Sequence, residues 1–580
     1  MIKLIEKIEN EIVEILNSFD ITEVKAKLVE CNRPELGQYQ YNGIMAVAGK
    51  NGFKPQDLAQ KVCAKLIQCE EIDSCNVAGV GFINISFKPS ALIEQVNNTQ
   101  TEIEELGRAK NHKIFIDYGG PNVAKTLHVG HLRSADIGEG LKRLARKLGY
   151  EVIADVHFGD WGRQMGMVIV GIEERMPDLP FFDPNFDGEY PTVSPVTNKD
   201  LEIIYPEANI KAKEDLEFLE KCRKATYELQ NGRKGYVALW KLFVAESIRP
   251  ALETYKFLNV AFDLYEGEST CNDLIAPMVK NLIDKKVAYE SQGAIVVDVA
   301  KEEDKIEVPP FIVLKSDGAA MYSTTDMATI VSRQERFTPN EYWYVADSRQ
   351  SLHFEQLFRA VKKAEIVPAD SVMTHFAFGT MNGQDGRPFK TRDGGVMTPQ
   401  ALVDIVSQAI KDKMKDNELL NDEICNIISS ATLKFADLSN NRETDFIFDI
   451  DKFCALEGKT GPYVLYTTVR ANSILKKANA ENVDSYQLLP LDNNAYNDVL
   501  LNLIKAPEIL KKAYEQKALN VICDYVFNLS NAFNNFYAQT KILIEQNEKV
   551  KQSYLKLCQM TAKMNEQMLD ILAIKVPERM

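Results

Sequence analysis

Residues 113–131 read KIFIDYGGPNVAKTLHVGH, and this stretch decides the fold of the chain. Its apolar, β-branched beginning predicts a strand over 113–118, and the Gly and Pro residues after it predict a turn. The segment from Leu132 to Leu148 has helical character and is ended by Gly149. His128 and His131 are therefore expected on one face at a helix N-terminus, where backbone N–H groups and the helix dipole attract anions. Gly130 lets a ligand approach the backbone closely. The stretch predicts a polyphosphate site in which both histidines donate to phosphate oxygens.

Two other interpretations of the histidine pair stay open at this point. Imidazoles three residues apart also occur as a solvated or capping pair. A zinc site is less well matched, because a His-Glu-x-x-His motif needs a spacing of four residues and a glutamate as general base. The flanking sequence therefore has to decide.

The composition is that of an ordinary globular protein with an acidic surface. The 580 residues include 45% hydrophobic and 26% charged residues, and the net charge is −15. A chain of this length typically forms about three to five domains. No apolar run reaches the length of about 18 residues that a membrane span needs, so we expect no membrane partner. The acidic charge argues against nonspecific nucleic-acid binding over the whole surface but leaves room for local basic patches.

The cysteines and the N-terminus favour a cytoplasmic protein. Ten cysteines are present without a Cys-x-x-Cys pair, and the even spacing of Cys63, Cys69 and Cys75 matches neither zinc nor redox motifs. We therefore expect reduced thiols. The first residues predict an amphipathic helix rather than a signal peptide.

Four regions are expected along the chain, which together make a multidomain α/β protein. Residues 1–108 predict an α+β module, and residues 109–395 alternate strands and helices as a Rossmann-like, doubly wound parallel sheet does. Within this second region we expect an insertion around 181–260, whose Pro-, Asp- and Asn-rich beginning predicts an irregular excursion up to residue 209. Residues 396–455 predict a helical connecting region, and residues 456–580 an all-α bundle.

Several blocks of the sequence resemble the class I aminoacyl-tRNA synthetases in their arginyl-tRNA synthetase form. The histidine pair, with Pro121–Thr126 before it and Leu132–Ser134 after it, is similar to the ATP-binding motif of that family. The other similar blocks are Gly37–Asn42, with Gln38 where an aspartate is more usual, Gly159–Gly162 with Gln164 and Gly166, Tyr322–Asp326, Gln350–His353 with Gln356, and the ending Ile574–Met580. The resemblance covers nearly the whole chain, with its blocks in the right order.

One departure concerns the second signature of class I synthetases, Lys-Met-Ser-Lys-Ser. The corresponding stretch here is Pro388-Phe-Lys-Thr-Arg392, which keeps two cations, Lys390 and Arg392. In the family a lysine just upstream of the histidine motif replaces the missing one, and Lys125 occupies that place. Without the resemblance, Lys125 would be interpreted as a solvated turn lysine.

The resemblance implies an arginine–tRNA ligase. L-Arginine and ATP would give arginyl-adenylate and pyrophosphate, and the arginine would then pass to the 3′-terminal ribose of the cognate arginine tRNA. The catalytic residues implied are Lys125, His128, His131, Lys390 and Arg392, which would position the phosphates and stabilise their charge. Magnesium would arrive with ATP. We expect no tightly bound protein metal, because such magnesium is held mainly by phosphates and water.

Carboxylates are expected around the arginine substrate, because a guanidinium is planar, always charged and best matched by bidentate acceptors. Asp117 and Asp326 are the candidates, although Asp117 could be a turn former and Asp326 a helix cap. Tyr322 could pack on the guanidinium plane. Asn122 and Gln350 suit the ammonium and carboxylate ends of the amino acid.

The ATP site is expected to extend beyond the histidine pair and Gly130. His353 and Gln356 would lie near the adenine at the start of a helix, with a capping histidine as the alternative. Gly379 and Met381 would bring backbone groups to the adenine. We expect His157 and His375 to be structural and His112 to be exposed.

Contacts with tRNA are expected at both ends of the chain, where aromatic and polar side chains suit unstacked bases. The candidates are Tyr39, Asn42, Tyr463, Arg470, Tyr537 and Arg579. Phe533 and Phe536 fit a helical core instead. The self-contained set of modules favours a monomer.

Three other functions fit the sequence less well. A small nucleotidyl-transferring ligase would not need this length or the helical tail, and a synthetase for another amino acid would have a different pocket from Asp117 and Asp326. A non-catalytic RNA-binding relative would be expected to have lost the histidines or these acids. A zinc-dependent hydrolase has no ligand set.

Overall fold

The computed structural model describes residues 3–33, 35–125, 127–316, 320–387, 397–415 and 419–580. Two compact units are formed from discontinuous pieces of chain. Unit 1 contains residues 1–106, 467–511 and 525–567, and unit 2 contains residues 107–466, 512–524 and 568–580. Every described helix is too short or too polar to cross a membrane.

The first hundred residues form an α+β module, as expected from the sequence. The elements are α1 (Leu4–Asn17), β1 (Leu28–Glu30), β2 (Tyr39–Tyr41), α2 (Ile44–Lys50), α3 (Pro55–Leu66), β3 (Ile72–Ala78), β4 (Phe82–Phe87) and α4 (Pro89–Leu106). The strands pair antiparallel in the order β1-β2-β4-β3.

The middle of the chain alternates strands and helices. The elements are β5 (Lys113–Tyr118), α5 (Gly130–Lys147), β6 (Glu151–Asp155), α6 (Arg163–Arg175), α7 (Asn198–Glu214), α8 (Leu216–Gln230), α9 (Lys234–Phe257), α10 (Asn272–Asp284), β7 (Tyr289–Ser291), β8 (Ala294–Val297), β9 (Phe311–Leu314), α11 (Tyr322–Phe337), β10 (Glu341–Asp347), α12 (Ser351–Lys363), β11 (Val372–Phe378) and β12 (Met381–Asn382).

The last part is helical except for one short strand. The elements are α13 (Pro399–Lys413), α14 (Asp422–Leu438), β13 (Phe446–Ile447), α15 (Ile450–Phe453), α16 (Gly461–Lys477), α17 (Asn494–Leu503), α18 (Ala506–Gln516), α19 (Asn520–Gln539) and α20 (Glu548–Ile571). Single 3₁₀ turns lie at Glu268–Cys271, Ser348–Gln350, Val483–Ser485 and Ile542–Ile544.

A parallel sheet in the order β11-β10-β5-β6 forms the centre of unit 2. Helix α5 packs against β5, β6 and β10 on one face. On the other face, Phe115 and Tyr342 share a buried cluster with Met327 of α11 and Leu357 of α12. Burial on both faces explains why Ile114–Ile116 of β5 form a continuous apolar run and do not alternate. The prediction of a doubly wound parallel sheet is confirmed.

The sequence prediction of an irregular excursion over 181–209 is wrong at its end. Helix α7 begins at Asn198, after a capping box in which the Thr197 side chain and the Asp200 side chain each accept from the other residue's backbone N–H. Leu201, Ile204 and Ala208 lie on one buried stripe of this helix and pack into the α6–α8 core. Packing of that stripe outweighs the helix-breaking tendency of Pro206.

The expectation that all thiols are reduced is also not met. Cys63 of α3 and Cys75 of β3 form a disulfide, with their Cα atoms 5.6 Å apart. Helix α3 packs directly on β3, and this contact brings together two cysteines whose spacing matches no motif.

Candidate active site

A cavity of about 1880 Å³ opens where the parallel strands β5 and β10 end. Its wall includes Asp117 and Tyr118 at the end of β5 and Val345–Asp347 at the end of β10. Ligands bind at this edge of open parallel sheets, outside the carboxyl ends of the strands. The volume exceeds the roughly 300–1,000 Å³ of a typical small-molecule site, so more than one substrate can be accommodated.

The histidine pair lies at the start of α5 and lines this cavity. The two ring centroids are 4.1 Å apart. The Gly130 N–H donates to His128 Nδ1 (3.1 Å), so the ring proton of His128 is on Nε2. Nδ1 of His131 lies 3.1 Å from both the backbone N and the O of His128. Both rings are held by the backbone of the helix start.

Both histidines are neutral near pH 7. Burial, followed by the charge of Arg349, lowers the pKa of His128. Burial, followed by the charges of His128 and Lys125, lowers the pKa of His131 to about 4. A neutral imidazole still has one N–H to donate, so the pair can act as hydrogen-bond donors without carrying charge.

The turn before α5 is fixed by the Gly159–Gln164 segment. Gly159 O accepts from the Val123 N–H (3.0 Å) and from Gln164 Nε2 (2.8 Å). Ala124 has a left-handed backbone, with φ of 62°, and its N–H donates to Ser247 Oγ (2.8 Å). These contacts place Lys125 at the cavity wall with an exposed side chain, and a strained backbone position at a site is typical of function.

Asp117 lines the cavity as predicted, but an arginine of the protein itself neutralises it. Arg333 Nη2 lies 2.6 Å from Asp117 Oδ2 and 2.8 Å from Asp155 Oδ2. Burial raises the pKa of Asp117 although Arg333 opposes that shift. For Asp155, burial is outweighed by the hydrogen bond from His157 and the charge of Arg333, which lower the pKa to about 2.

His157 belongs to this group and lines the cavity, which differs from a purely structural role. Its Nδ1 lies 3.3 Å from Asp155 Oδ2, and its Nε2 lies 3.2 Å from Thr329 Oγ1. Asp117, Asp155 and His157 are spaced closely enough to hold a metal ion. The guanidinium of Arg333 already supplies the positive charge between the two carboxylates.

Asp326 and Tyr322 lie together on the first turns of α11 and line the cavity. His353 joins them on the cavity wall, and its expected place beside the adenine stays a prediction. Its Nε2 lies 2.6 Å from Asp326 Oδ2, and its ring packs edge-on against Tyr322 with centroids 4.8 Å apart. Asp326 lies inside the helix and is not its cap.

Glu268 is the functional candidate that the sequence did not reveal. It lines the same cavity, on the 3₁₀ turn Glu268–Cys271. Burial, together with the negative charge of Asp326 and Asp160, raises the pKa of Glu268 to about 8. A strongly shifted carboxyl in a cavity is a functional candidate. The only local signal is a glycine between two glutamates at 266–268, which is too common to single out a site.

Several predicted ATP residues are not brought to the cavity. The described residues that line the cavity include Phe378 but not Gln356, Gly379 or Met381. Gln356 Nε2 donates to Pro309 O (2.7 Å). The N–H of Gly379 donates to Arg442 O (2.9 Å) and its C=O accepts from Arg133 (2.5 Å), so both groups already have partners within the protein. Lys390 and Arg392 lie outside the described residues.

Asn122 and Gln350 do line the cavity, and both are exposed. His375 packs on Phe354 with ring centroids 4.5 Å apart. The His112 side chain is 36% exposed, and its Nε2 lies 2.7 Å from Glu341 Oε1.

The predicted tRNA residues of unit 1 differ in exposure. Tyr39 is only 7% exposed and packs on Phe87 with ring centroids 5.7 Å apart, so it is a core residue and does not present its ring to a partner. Asn42 is exposed. Arg470 lies over the Tyr537 ring (5.0 Å), and Tyr537 is 41% exposed.

The two candidates in unit 2 are both accessible. Tyr463 is half-buried at the start of α16, and Arg579 is exposed. As expected, Phe533 and Phe536 are fully buried.

Three family models match successive parts of the chain. The model of the N-terminal domain of arginyl-tRNA synthetase matches residues 3–87, that of the class I (R) tRNA synthetase catalytic domain matches residues 92–450, and that of the DALR anticodon-binding domain matches residues 464–580.

Curated relatives match over almost the full length. An arginine–tRNA ligase of Agathobacter rectalis is 44% identical over 597 residues, covering 100% of both chains. One from Alkaliphilus oremlandii is 45% identical over 557 residues, covering 95% of both chains.

Two solved structures share the fold. The arginyl-tRNA synthetase of Plasmodium falciparum has a TM-score of 0.77 at 23% identity, and that of Thermus thermophilus has a TM-score of 0.74 at 20% identity. Each comparison covers 100% of both chains. At this identity the likeness concerns the fold alone.

Proposed function

The chain belongs to the arginyl-tRNA synthetase family of class I tRNA synthetases, and its activity is that of an arginine–tRNA ligase. We propose that both steps of that reaction take place in the cavity of unit 2. One observation carries the assignment of the site. Two neutral histidines at the start of α5 face the same cavity as the carboxylates of Glu268 and Asp326. A phosphate-binding end and a cation-binding end thus share one space.

ATP, as its magnesium complex, is the substrate at the histidine end. The carboxylate oxygen of arginine attacks the α-phosphorus, and the bond to the pyrophosphate oxygen breaks. His128 donates from Nε2, and His131 donates from whichever ring nitrogen is protonated. The exposed ammonium of Lys125 adds the charge that the departing pyrophosphate needs. The roles of Lys390 and Arg392 in this step stay predictions.

The arginine guanidinium is assigned to Glu268 and Asp326. Asp117 is neutralised by Arg333, so it offers less attraction to a second guanidinium than the sequence suggests. Burial, together with the negative charge of Asp326 and Asp160, raises the pKa of Glu268. A bound guanidinium would supply a cation and stabilise the ionised carboxylate. Tyr322 can cover the plane of the guanidinium, and Asn122 and Gln350 can bind the ammonium and carboxylate ends.

The transfer step needs space for the 3′-terminal ribose of the tRNA. The part of the cavity between α8 and α10 supports this role, since Arg223, Tyr227 and Lys280 line it. Cations and an aromatic ring are the groups that suit a single-stranded RNA end. Asn42, Tyr463, Arg470, Tyr537 and Arg579 stay candidates for contacts elsewhere on the tRNA. The four proposed regions, the monomeric state and a cytoplasmic location also stay predictions.

Pyrophosphate exchange into ATP tests the proposal directly. The assay uses a panel of amino acids, each with and without arginine tRNA. Arginine is the one amino acid expected to support exchange, and the family resemblance predicts that exchange also requires tRNA. Exchange supported by another amino acid would rule out the assigned pocket. Exchange with arginine in the absence of tRNA would leave the pocket intact but remove the tRNA requirement.

A further inference from the structure

Arg133 is a completely buried arginine two residues after the second histidine of the pair. Its side chain is 0% exposed. Nε donates to Asp437 Oδ1 (2.8 Å) and Nη1 to Gly379 O (2.5 Å), while weaker contacts reach Arg442 O (3.3 Å) and Thr444 O (3.4 Å). A buried guanidinium is tolerated only where its N–H groups find acceptors. Here those acceptors come from three separate segments of unit 2.

Two of these segments are hydrogen-bonded to each other at the end of β11. The N–H of Gly379 donates to Arg442 O (2.9 Å), and the N–H of Thr380 donates to Asp445 Oδ1 (2.6 Å). A Cβ at position 379 would lie 2.6 Å from Asp445 Oδ1, so the two segments meet without space for a side chain. Beyond this point β12 pairs with β13. Arg133 bonds to carbonyls on both sides of this seam, which we define as residues 378–380 and 442–446.

The seam reaches the cavity that the histidines line. Phe378 lines the cavity, as do His128 and His131. The Arg133 guanidinium lies 5.8 Å from the Phe378 ring centroid and 5.1 Å from that of Phe446. One side chain therefore connects helix α5, which begins at the histidine pair, with the end of β11, where Phe378 lines the same cavity.

We propose that Arg133 is a positioning residue for ATP, which holds the histidine helix α5 and the Phe378–Thr380 backbone at a fixed separation. The proposal rests on the assignment of the nucleotide to this end of the cavity. Geometry explains why arginine suits the task, because its planar fork can serve several acceptors at once whereas an ammonium acts as a point charge. Loss of the fork should loosen the nucleotide end and leave the arginine end unchanged.

A second buried ion pair provides the matched control. Lys434 Nζ lies 2.9 Å from Asp136 Oδ1, and their side chains are 0% and 2% exposed. This pair joins the same two helices, α5 and α14, as Arg133 and Asp437 do. In the described chain the Lys434 ammonium hydrogen-bonds to Asp136 and to no backbone carbonyl. Loss of this pair reports what a purely structural tie between these helices contributes.

The test compares Arg133→Lys with the double variant Asp136→Asn/Lys434→Met. Arg133→Lys keeps a charge for Asp437 but loses the hydrogen bonds to the backbone carbonyls. We therefore expect the KM for ATP in pyrophosphate exchange to rise about tenfold, while the KM for arginine changes by less than about twofold. Amide exchange at Gly379 and Thr380 should also rise about tenfold. The control should leave both KM values and these two amides unchanged. If Arg133→Lys does not fold, Arg133→Met/Asp437→Asn removes both charges together and serves the same comparison.

The outcomes separate this proposal from the assigned function. Equal effects of the Arg133 variant and the control on the KM for ATP would overturn the positioning role, as would an unchanged KM for ATP in Arg133→Lys. Calorimetric binding of α,β-methylene-ATP gives the same comparison without catalysis. If the wild type shows no arginine-dependent exchange, the assigned function fails, and weaker analogue binding by Arg133→Lys than by the control still supports the role of Arg133.

Discussion

His131 is more important for its hydrogen-bond donor than for its charge. Its pKa of about 4 keeps the ring neutral throughout the physiological range. His131→Ala removes one donor to the phosphates, so we expect adenylate formation to slow by about 10²–10³, measured in single-turnover assays. The matched control is His112→Gln, which replaces an imidazole paired with Glu341 at the start of β10, the strand whose other end lines the cavity. A loss of less than about tenfold for His131→Ala would return the residue to a capping role.

Glu268 should make arginine binding depend on pH. Burial, together with the charge of Asp326 and Asp160, raises the pKa of Glu268 to about 8, whereas a guanidinium binds the ionised form, so a proton must leave on binding. The KM for arginine should therefore fall as pH rises from 6 to 8, by up to about tenfold per unit, and level off above 8. Glu268→Gln should raise the KM for arginine and flatten this profile.

Glu266→Gln is the control for that experiment. Glu266 is two residues away from Glu268 and pairs with Arg336 at 2.7 Å. The substitution Glu266→Gln removes a carboxylate, as Glu268→Gln does. The pH profile of Glu266→Gln should match that of the wild type. A flat profile in the wild type, or a steep one in Glu268→Gln, would contradict the assignment of Glu268 to the guanidinium.

The acid residues show how far the sequence could predict the site. Asp117, at the end of an apolar strand, was correctly expected in the cavity. Its partner Arg333 comes 216 positions later, and no local pattern tells which cation will reach it. Glu268 is close to Asp326 only in the folded chain. Motifs on one strand–turn–helix unit were predictable, whereas charge pairing between distant elements was not.

At the scale of single elements, the contact between α5 and β5 decides whether replacing a glycine of α5 by alanine raises or lowers the free energy of unfolding. In an exposed helix, Gly→Ala stabilises by up to about 1 kcal/mol. A Cβ at Gly138 in the middle of α5 would collide with the Tyr118 ring, so Gly138→Ala should destabilise by about 1–3 kcal/mol in urea unfolding. Gly49→Ala in α2 is the control, because nothing lies within 4 Å of its Cβ position, and it should stabilise. Stabilisation by Gly138→Ala would mean that α5 packs less closely on β5.

Elements were predictable where one local signal dominated. Strand β5, the turn and α5 were correctly expected, because an apolar run, glycines and a helical pattern follow one another directly. Helix α7 was missed because Pro206 and the acidic and amide residues around it suggest a loop, while its buried stripe is satisfied only by α6 and α8. Tertiary packing outweighs local propensity there.

At the scale of the whole molecule, unit 1 joins the first hundred residues to parts of the helical tail. Linear regions could not reveal this, because several hundred positions separate the segment 1–106 from the segments 467–511 and 525–567. Helix α17 packs on α4. Lys505 Nζ lies 2.7 Å from Glu30 Oε2, and Gln567 Nε2 donates to Gln100 Oε1 (3.0 Å). The N-terminal module and these bundle helices thus stabilise each other.

Deletion of residues 1–106 should therefore destabilise helices far away in the sequence. Without α4, one side of α17 loses its packing partner, and we expect amide hydrogen exchange in Asn494–Leu503 to rise at least about tenfold. Helices α11 and α12 belong to unit 2 and form their own core with the parallel sheet, so their exchange should stay the same and serves as the internal control. Lys505→Met, which removes only the ion pair with Glu30, should change exchange in α17 by less than about threefold, because a single exposed ion pair contributes little. Unchanged exchange in α17 after the deletion would show that the bundle helices fold independently of the N-terminal module.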